Sequence, residues 1–412
     1  MGRQKKSSAE DDIFSSLASS IGGEILSNLD TAKYFVDTGN LAINYCCSGK
    51  FVGGGIPAGR LTEIYGPSAS SKSLIGANIL FGCQKMGGVP VILDTENAVN
   101  AEFIQRSSHC DVSKIVRHTP QTLEQSFRTI YNSISFVRKD PKYKEKYKDK
   151  PIVIIYDSIS VSPCEREFRE INLPETYTKA QYKEIVGGNE QPGERAKICS
   201  REFRKLNTVL EESDATVVIM NQTREKISMG GMPSYGLNEA KAGGGTALTY
   251  YASLILRSQA QKKLEVKMPG GRKKFLGVNV KMSNKKNRSF RPFVEVDNIP
   301  LYFDRGINPL GGLLGALIDA DRIEPLGAGN FLVKEIYSGS SNYKFKSSVE
   351  RNDVPVKVLF DCPKLVDVDT KEELEEYLNP FMDSIMNTRE EDFTVTDIKS
   401  EEEEEGIDLE IN

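Results

Sequence analysis

The residues with the clearest chemistry form the run Gly66-Pro67-Ser68-Ala69-Ser70-Ser71-Lys72-Ser73. A glycine-led loop between a strand and a helix presents backbone N–H groups and a helix N-terminus to phosphate oxygens. There Lys72 supplies a point charge to the β/γ oxygens and Ser73 offers its hydroxyl to Mg²⁺. Ser71 stands where the general G-x-x-x-x-G-K-[ST] pattern has a second glycine, the residue that permits close backbone approach. Taken alone, the run also reads as a serine-rich turn. Two acids change the balance. The apolar segment 152–156 ends in Asp157, a carboxylate suited to hold Mg²⁺ through water, and the apolar segment 89–93 leads into Asp94-Thr95-Glu96. Each acid singly could be a helix cap or a solvated turn. Parallel strands, however, deliver their C-terminal ends to one crevice, where Glu96 would orient or activate a water. Loop and acids in this order at successive strand ends point to ATP with Mg²⁺.

The elements that must position these groups are legible around them. Ile75, Ile79, Cys83 and Met86 recur at helical spacing after the loop, and Gly87-Gly88 closes that helix. Thr119-Pro120 is expected to open a helix whose apolar face is Leu123, Phe127, Ile130, Ile134 and Val137. Residues 139–150 read as a solvated connection. The strands 152–156 and 216–220 are separated by a helix carrying Cys199, Phe203, Leu206 and Leu210. Strands apolar on both faces and alternating with helices require a largely parallel, doubly covered sheet, so the fold class is α/β. Residues 11–30 read as a helix and a polar turn. After about residue 245 longer strands follow, with a hairpin edge turning at Pro269-Gly270-Gly271. A separate small unit carries Leu310, Leu313, Leu314 and Leu317 on one helix, and Leu374, Leu378 and Phe381 near another. The expected organisation is an N-terminal segment 1–50, a core 51–300, a small C-terminal α+β domain 301–388 and a disordered tail 389–412.

Charge is unevenly spread. Residues 389–412 hold eleven acids against two bases, so the tail carries −9 while the rest of the chain carries +5. A basic body with an acidic tail suits a polyanion binder that regulates its own access, although such tails also serve solubility alone. The seven cysteines are scattered without a C-x-x-C pair, which argues for reduced thiols rather than a disulfide scaffold or a zinc site. His109 and His118 lack metal-ligand spacing. No apolar run approaches the ~20 residues needed to span a bilayer, and the polar start MGRQKKSSAEDD has no signal-peptide pattern. A cytoplasmic protein is expected.

These motifs and their flanks resemble bacterial RecA, and more closely the UvsX-type recombinases of large phages. The segments that carry the resemblance are GIPAGRLTEIYGP (55–67), TENAVNAEF (95–103), IVIIYDS (152–158), REFRKL (201–206), VIMNQTREKI (218–227), GGGTALTYYAS (243–253) and RGINPLGGLLGALID (305–319). It covers most of residues 31–330. The resemblance implies a RecA-like P-loop ATPase core that forms a helical homo-oligomeric filament on single-stranded DNA and pairs it with homologous duplex DNA. It implies that Glu96 is the catalytic carboxylate, that Asn100 and Phe103 flank the adenine, and that Gln222 senses the γ-phosphate at the start of a DNA-binding loop. RecA usually has an acid and a tyrosine at positions 100 and 103, and the departure implies looser base selectivity. Two loops, about 165–197 and 223–245, are expected to face the DNA. They and their flanks carry Lys197, Arg201, Arg204, Arg224, Lys226 and Lys241, which would neutralise phosphates without reading sequence. Gly244 and Gly245 would admit a phosphate to the backbone, and Ile227 would wedge between base triplets. Lys281 or Lys285 is expected to reach the ATP of the neighbouring subunit, the choice between them being open because Ser283 occupies one expected lysine position. A single-strand binding protein and a loader are expected partners.

Two rivals share the nucleotide motifs: a hexameric RecA-core helicase, and a non-catalytic mediator that binds nucleotide without useful turnover. If the acidic tail competes with DNA for the basic loops, deleting residues 389–412 should speed loading on duplex DNA at physiological salt. Unchanged loading in a stopped-flow assay would discard that role.

Overall fold

The computed structural model describes residues 9–22, 25, 32–68, 70–171, 193–223, 245–268, 271–347, 353–381 and 385. In chain order, helix α1 (Ala9–Ile21) is followed by β1 (Phe35–Val36), α2 (Leu41–Ser48), β2 (Ile56–Pro57) and β3 (Leu61–Gly66). Next come α3 (Lys72–Lys85), β4 (Val89–Asp94), α4 (Ala101–Ser108), β5 (Val116–His118), α5 (Leu123–Lys139) and β6 (Ile152–Asp157). They lead to α6 (Glu165–Ile171), α7 (Glu194–Ser213), β7 (Ala215–Gln222), α8 (Gly245–Tyr251), β8 (Leu254–Lys267) and β9 (Lys273–Asn287). The chain continues through β10 (Glu295–Tyr302), β11 (Gly306–Ile307), α9 (Leu313–Asp319), β12 (Ile323–Gly327) and β13 (Asn330–Val333). It ends, among the described elements, with α10 (Glu335–Ser338), β14 (Lys344–Lys346), α11 (Val356–Asp361) and α12 (Lys371–Leu378).

One sheet organises these elements. Among the described residues nine strands align in the order β11-β10-β9-β8-β3-β7-β6-β4-β5. The six from β8 to β5 are parallel, and β9, β10 and β11 add antiparallel pairs. Strand alternation explains the double cover. In β6, Val153 and Ile155 join the core that includes Ile75 and Ile79 of α3. Ile152, Ile154 and Tyr156 join the opposite core, with Phe127 and Ile130 of α5 and Phe203 and Leu206 of α7. The mostly parallel α/β architecture is therefore the observed one. All seven cysteines are unpaired and buried, and burial pushes the Cys46 and Cys83 thiols up to about 12.

Several expected boundaries move. Every residue of α2 is buried, and Leu41, Ala42, Ile43, Tyr45, Cys46 and Cys47 belong to the main core, so the break expected at residue 50 falls inside the body. The break expected at residue 301 cuts through β10, a member of the central sheet. The C-terminal unit is not a separate core: Leu313, Leu317, Leu374 and Phe381 cluster with Ile43 and Ile79. Polar ties reinforce that union, since Asn40 Nδ2 donates to Asn308 O and Gly311 O at 2.7 and 2.9 Å, and Tyr377 Oη donates to Asp37 Oδ1 at 3.1 Å. The helix expected to open at Thr119-Pro120 begins instead at Leu123. Thr122 caps it by accepting the Gln125 N–H at 3.2 Å, an exposed-end satisfaction that Pro120 cannot supply. The hairpin expected at an edge lies inside the sheet, with β8 against β3 and β9 against β10; β5 and β11 are the edges. Pro269 and Gly270 of its turn, and the tail 389–412, lie outside the described residues.

The turn between β3 and α3 is where local backbone matters most. Gly66 has no alternative, because a Cβ there would sit 2.1 Å from Ser258 O on β8. Ser71, immediately before the helix, has φ 63° and ψ 22°, the left-handed region that glycine enters without cost. The chain thus keeps at Ser71 the backbone shape for which the general pattern uses glycine. A left-handed residue beside helical ones turns successive N–H groups into an anion-binding concavity. Ser71→Gly should therefore stabilise the chain by about 1 kcal/mol in chemical denaturation while preserving nucleotide affinity. Lower stability or lost affinity would show that the serine side chain contributes more than its backbone angle.

Candidate functional site

Strand register brings the chemistry together. Gly66 pairs with Gln222 across β3 and β7, and Asp94 pairs with Asp157 across β4 and β6. The ends of four parallel strands thereby open into one cleft of about 870 Å³, within the range of ordinary ligand sites. Its lining includes Ser68, Ser70, Ser71, Lys72, Ser73, Glu96, Phe103, Asp157 and Gln222. Gly66 and Pro67 do not line it; their carbonyls accept from Lys72 Nζ at 3.1 and 2.8 Å, with Ser70 Oγ a third acceptor at 3.3 Å. Ala69 lies outside the described residues.

The electrostatics follow from burial. Lys72 is mostly buried, and loss of water lowers its pKa, opposed by the charges of Asp157 and Glu96. Asp157 is pushed above the usual carboxylate range, chiefly by burial; the Ser73 hydroxyl, which donates to its Oδ2 at 2.7 Å, counteracts this. An ammonium resting on neutral acceptors of its own loop can be recruited by phosphate oxygens, which are better partners for it. Ser73 and Asp157 together offer the hard oxygen donors that Mg²⁺ prefers. The residues present therefore fit a nucleoside triphosphate with Mg²⁺.

Glu96 and Gln222 meet directly. Gln222 Nε2 donates to Glu96 Oε1 at 2.8 Å, and Ser158 Oγ donates to the same oxygen at 2.8 Å. Gln222 Oε1 in turn lies 3.4 Å from Ser68 Oγ. The last residue of β7 thus touches both the acid of the β4 turn and the phosphate loop. Phe103 is 40% exposed and lines the cleft. Asn100 caps α4, its Oδ1 accepting the Phe103 N–H at 3.0 Å. That contact ties the Phe103 backbone to Asn100 at the start of α4.

Sequence reasoning missed part of this site. Ala260, Gln261, Lys263, Phe275 and Phe303 form a far wall, with Lys263 lying over the Phe275 ring at 5.0 Å. The wall comes from β8, β9 and the turn after β10, elements distant in sequence and without a motif. A buried pair was also invisible. Glu63 on β3 accepts from Asn221 Nδ2 at 2.8 Å, and burial pushes its carboxyl up to about 7. Lys286, whose charge faces Glu63, donates at 2.8 Å to Thr249 O and Tyr250 O near the end of α8.

The expected DNA-facing residues divide. Lys197, Arg201 and Arg204 lie on the exposed face of α7, whose other face buries Ile198, Phe203 and Leu206. Arg201 and Lys205 both contact Glu202, at 2.8 and 3.1 Å. Of the loop expected over 165–197, residues 165–171 form helix α6 and those from Glu194 belong to α7, while 172–192 lie outside the described residues. Gly245 starts α8 rather than ending a loop. Arg224, Lys226, Ile227, Lys241 and Gly244 lie outside the described residues. Lys281 and Lys285 do not line the cleft of their own chain. Both face Glu295, at 2.7 and 3.8 Å, on the same side of β9 as Ser283. Neither histidine joins a metal cluster among the described residues: His109 packs near Phe81 and Phe381, and His118 Nδ1 contacts Thr129 Oγ1 at 3.2 Å. No described helix is long and apolar enough to cross a membrane.

Comparison with known proteins agrees with the geometry. Residues 19–136 and 179–308 match the profile of the RecA N-terminal domain. The chain is 31% identical over 277 residues to Protein RecA of Nautilia profundicola, covering 67% of this chain and 68% of that protein. It is 28% identical over 297 residues to Protein RecA of Thermus thermophilus, covering 71% and 74%. Among solved structures, a crystal structure of the RadB recombinase aligns with a TM-score of 0.42 and 17% identity, over 66% of this chain and 98% of that one. With the profile matching over half of its length and the phosphate loop, both acids and Gln222 at one sheet end, this chain belongs to the RecA family.

Proposed function

We propose that this chain is an ATP-dependent DNA recombinase of the UvsX-type phage branch. It forms a head-to-tail helical filament on single-stranded DNA and carries out homologous pairing and strand exchange in recombination, repair and recombination-dependent replication. The observation that carries the reading is the 2.8 Å contact between Gln222 and Glu96. It joins the acid that activates water to the residue from which the segment 223–244 departs, so that nucleotide state and DNA grip share one hydrogen bond.

The residues divide the work. Lys72 and the amides of the phosphate loop bind and neutralise the triphosphate. Ser73 and Asp157 would hold Mg²⁺, which would supply charge neutralisation. Glu96 orients the attacking water and accepts its proton. Phe103 stacks on the base. Lys197, Arg201 and Arg204 with Arg224, Lys226 and Lys241 neutralise phosphates of the strand, Gly244 and Gly245 admit its backbone, and Ile227 separates base triplets. Lys281 or Lys285 completes the site of the adjacent protomer, and exchange of Glu295 for phosphate oxygens would free either one. The exposed stripe Ile13, Phe14, Leu17 and Ile21 on α1 supports packing of that helix on a neighbour. An apolar hollow bounded by Val91, Val116, Phe136 and Tyr143 at the β5 edge is a suitable seat. Such heterologous contacts propagate rather than close. A single-strand binding protein and a loader would serve this cycle.

The test is ATP hydrolysis with and without single-stranded DNA, joined to electron microscopy with a non-hydrolysable ATP analogue. Strong stimulation by DNA and long helical filaments are expected, with Lys72→Ala lowering turnover by about a hundred-fold or more. Rings that unwind forks would identify a helicase instead, and neither turnover nor filaments a mediator.

A further inference from the structure

Glu96 stands on a turn, residues 95–99, so its position depends on what grips that turn. From the β6 side, Thr95 N donates to Asp157 O at 2.9 Å and Thr95 Oγ1 donates to Ser158 O at 2.7 Å. From the other side the grip is ionic. Asp94, 1% exposed, accepts the N–H groups of Ala98 and Val99 at 3.1 Å each. Its Oδ2 also receives Arg117 Nε at 2.9 Å and Nη2 at 2.6 Å. The same Nη2 reaches Asn97 Oδ1 at 2.6 Å, and Asn97 sits at φ 53°, a backbone angle that needs support. Arg117 comes from the edge strand β5, next to β4, and belongs to no motif.

A guanidinium suits this place for a physical reason. Its planar fork makes several charge-assisted bonds at once and keeps its charge in a partly buried setting. Asp94 is one of three acids, with Asp157 and Glu96, around the end of β4, and Lys72 approaches from α3. Without Arg117 the Asp94 carboxylate would hold two amides with its nearest counter-charge gone, and Asn97 would lose its outer tether.

Resting on the reading of Glu96 as the hydrolytic carboxylate, we infer that Arg117 is a positioning residue for ATP hydrolysis, acting through Asp94 and Asn97 to hold the turn that presents Glu96. It touches neither the phosphate loop nor the cleft lining, so it governs turnover and leaves nucleotide binding alone.

The experiment compares the full-length chain with Arg117→Gln and Arg117→Lys in DNA-stimulated ATP hydrolysis, in affinity for a non-hydrolysable ATP analogue, and in amide hydrogen exchange of residues 95–104. Arg117→Gln should lower kcat about ten-fold to a hundred-fold, as sub-ångström misplacement of a catalytic group does, with KM and analogue affinity within about two-fold. The Ala98 and Val99 amides should exchange faster, and Arg117→Lys should restore part of kcat. Unchanged kcat, or a parallel loss of kcat and analogue affinity, would overturn the inference. If Arg117→Gln does not fold, Asn97→Ala removes one arm alone: lower kcat with intact analogue affinity supports the role, and intact kcat refutes it. Absence of hydrolysis in the unsubstituted chain would instead defeat the reading of Glu96 itself.

Discussion

The molecule depends on a constraint of strand order: β3, β7, β6 and β4 are parallel neighbours, so four chain segments end at one level. Only that arrangement lets Gln222 Nε2 reach Glu96 Oε1 across the one intervening strand end, that of β6. A parallel sheet of this kind is stable only when both faces are covered, and the two cores that cover it leave the strand ends as the place where polar groups can gather. Function here is thus a by-product of how the sheet is closed off from water.

The same logic explains why charged groups survive partial burial at the cleft. Lys72 is desolvated but hydrogen-bonded three times to its own loop; Asp157 is desolvated but receives the Ser73 hydroxyl. Deeper in the sheet, Glu63 tolerates burial because Asn221 donates to it and Lys286 faces it. Glu63 neighbours the strand end that carries Gln222, and Lys286 holds the carbonyls that close α8.

Much of this was legible in the chain itself. Continuous apolar runs ending in Asp157 and before Glu96 located strands, and the apolar face from Leu123 to Val137 located a helix, because burial on two faces or on one stripe leaves distinct periodicities. The phosphate loop was readable because phosphate binding demands particular residues at fixed spacing. What failed were questions answered only by tertiary contact. The segment LAINYCCS reads as part of an N-terminal segment apart from the core; in the fold it is a buried helix whose Asn44 Nδ2 donates to Asp37 Oδ1 and Phe51 O, and whose Ser48 Oγ donates to Asn44 O. The C-terminal unit looked independent because its leucines say nothing of what covers them. Arg117 and the far wall with Phe275 and Phe303 carry no spacing signal, because the partners that give them meaning arrive from other strands.

The most direct measurement of coupling between nucleotide and DNA is affinity for single-stranded DNA by fluorescence anisotropy, in a non-hydrolysable ATP analogue and in ADP, for the unsubstituted chain and for Gln222→Ala. The expected result is at least ten-fold tighter binding with the analogue in the unsubstituted chain, about 1.4 kcal/mol, and equal affinities in both nucleotides for Gln222→Ala. A nucleotide-dependent difference that persists undiminished in Gln222→Ala, or is missing from the unsubstituted chain, would contradict transmission through Gln222 and Glu96.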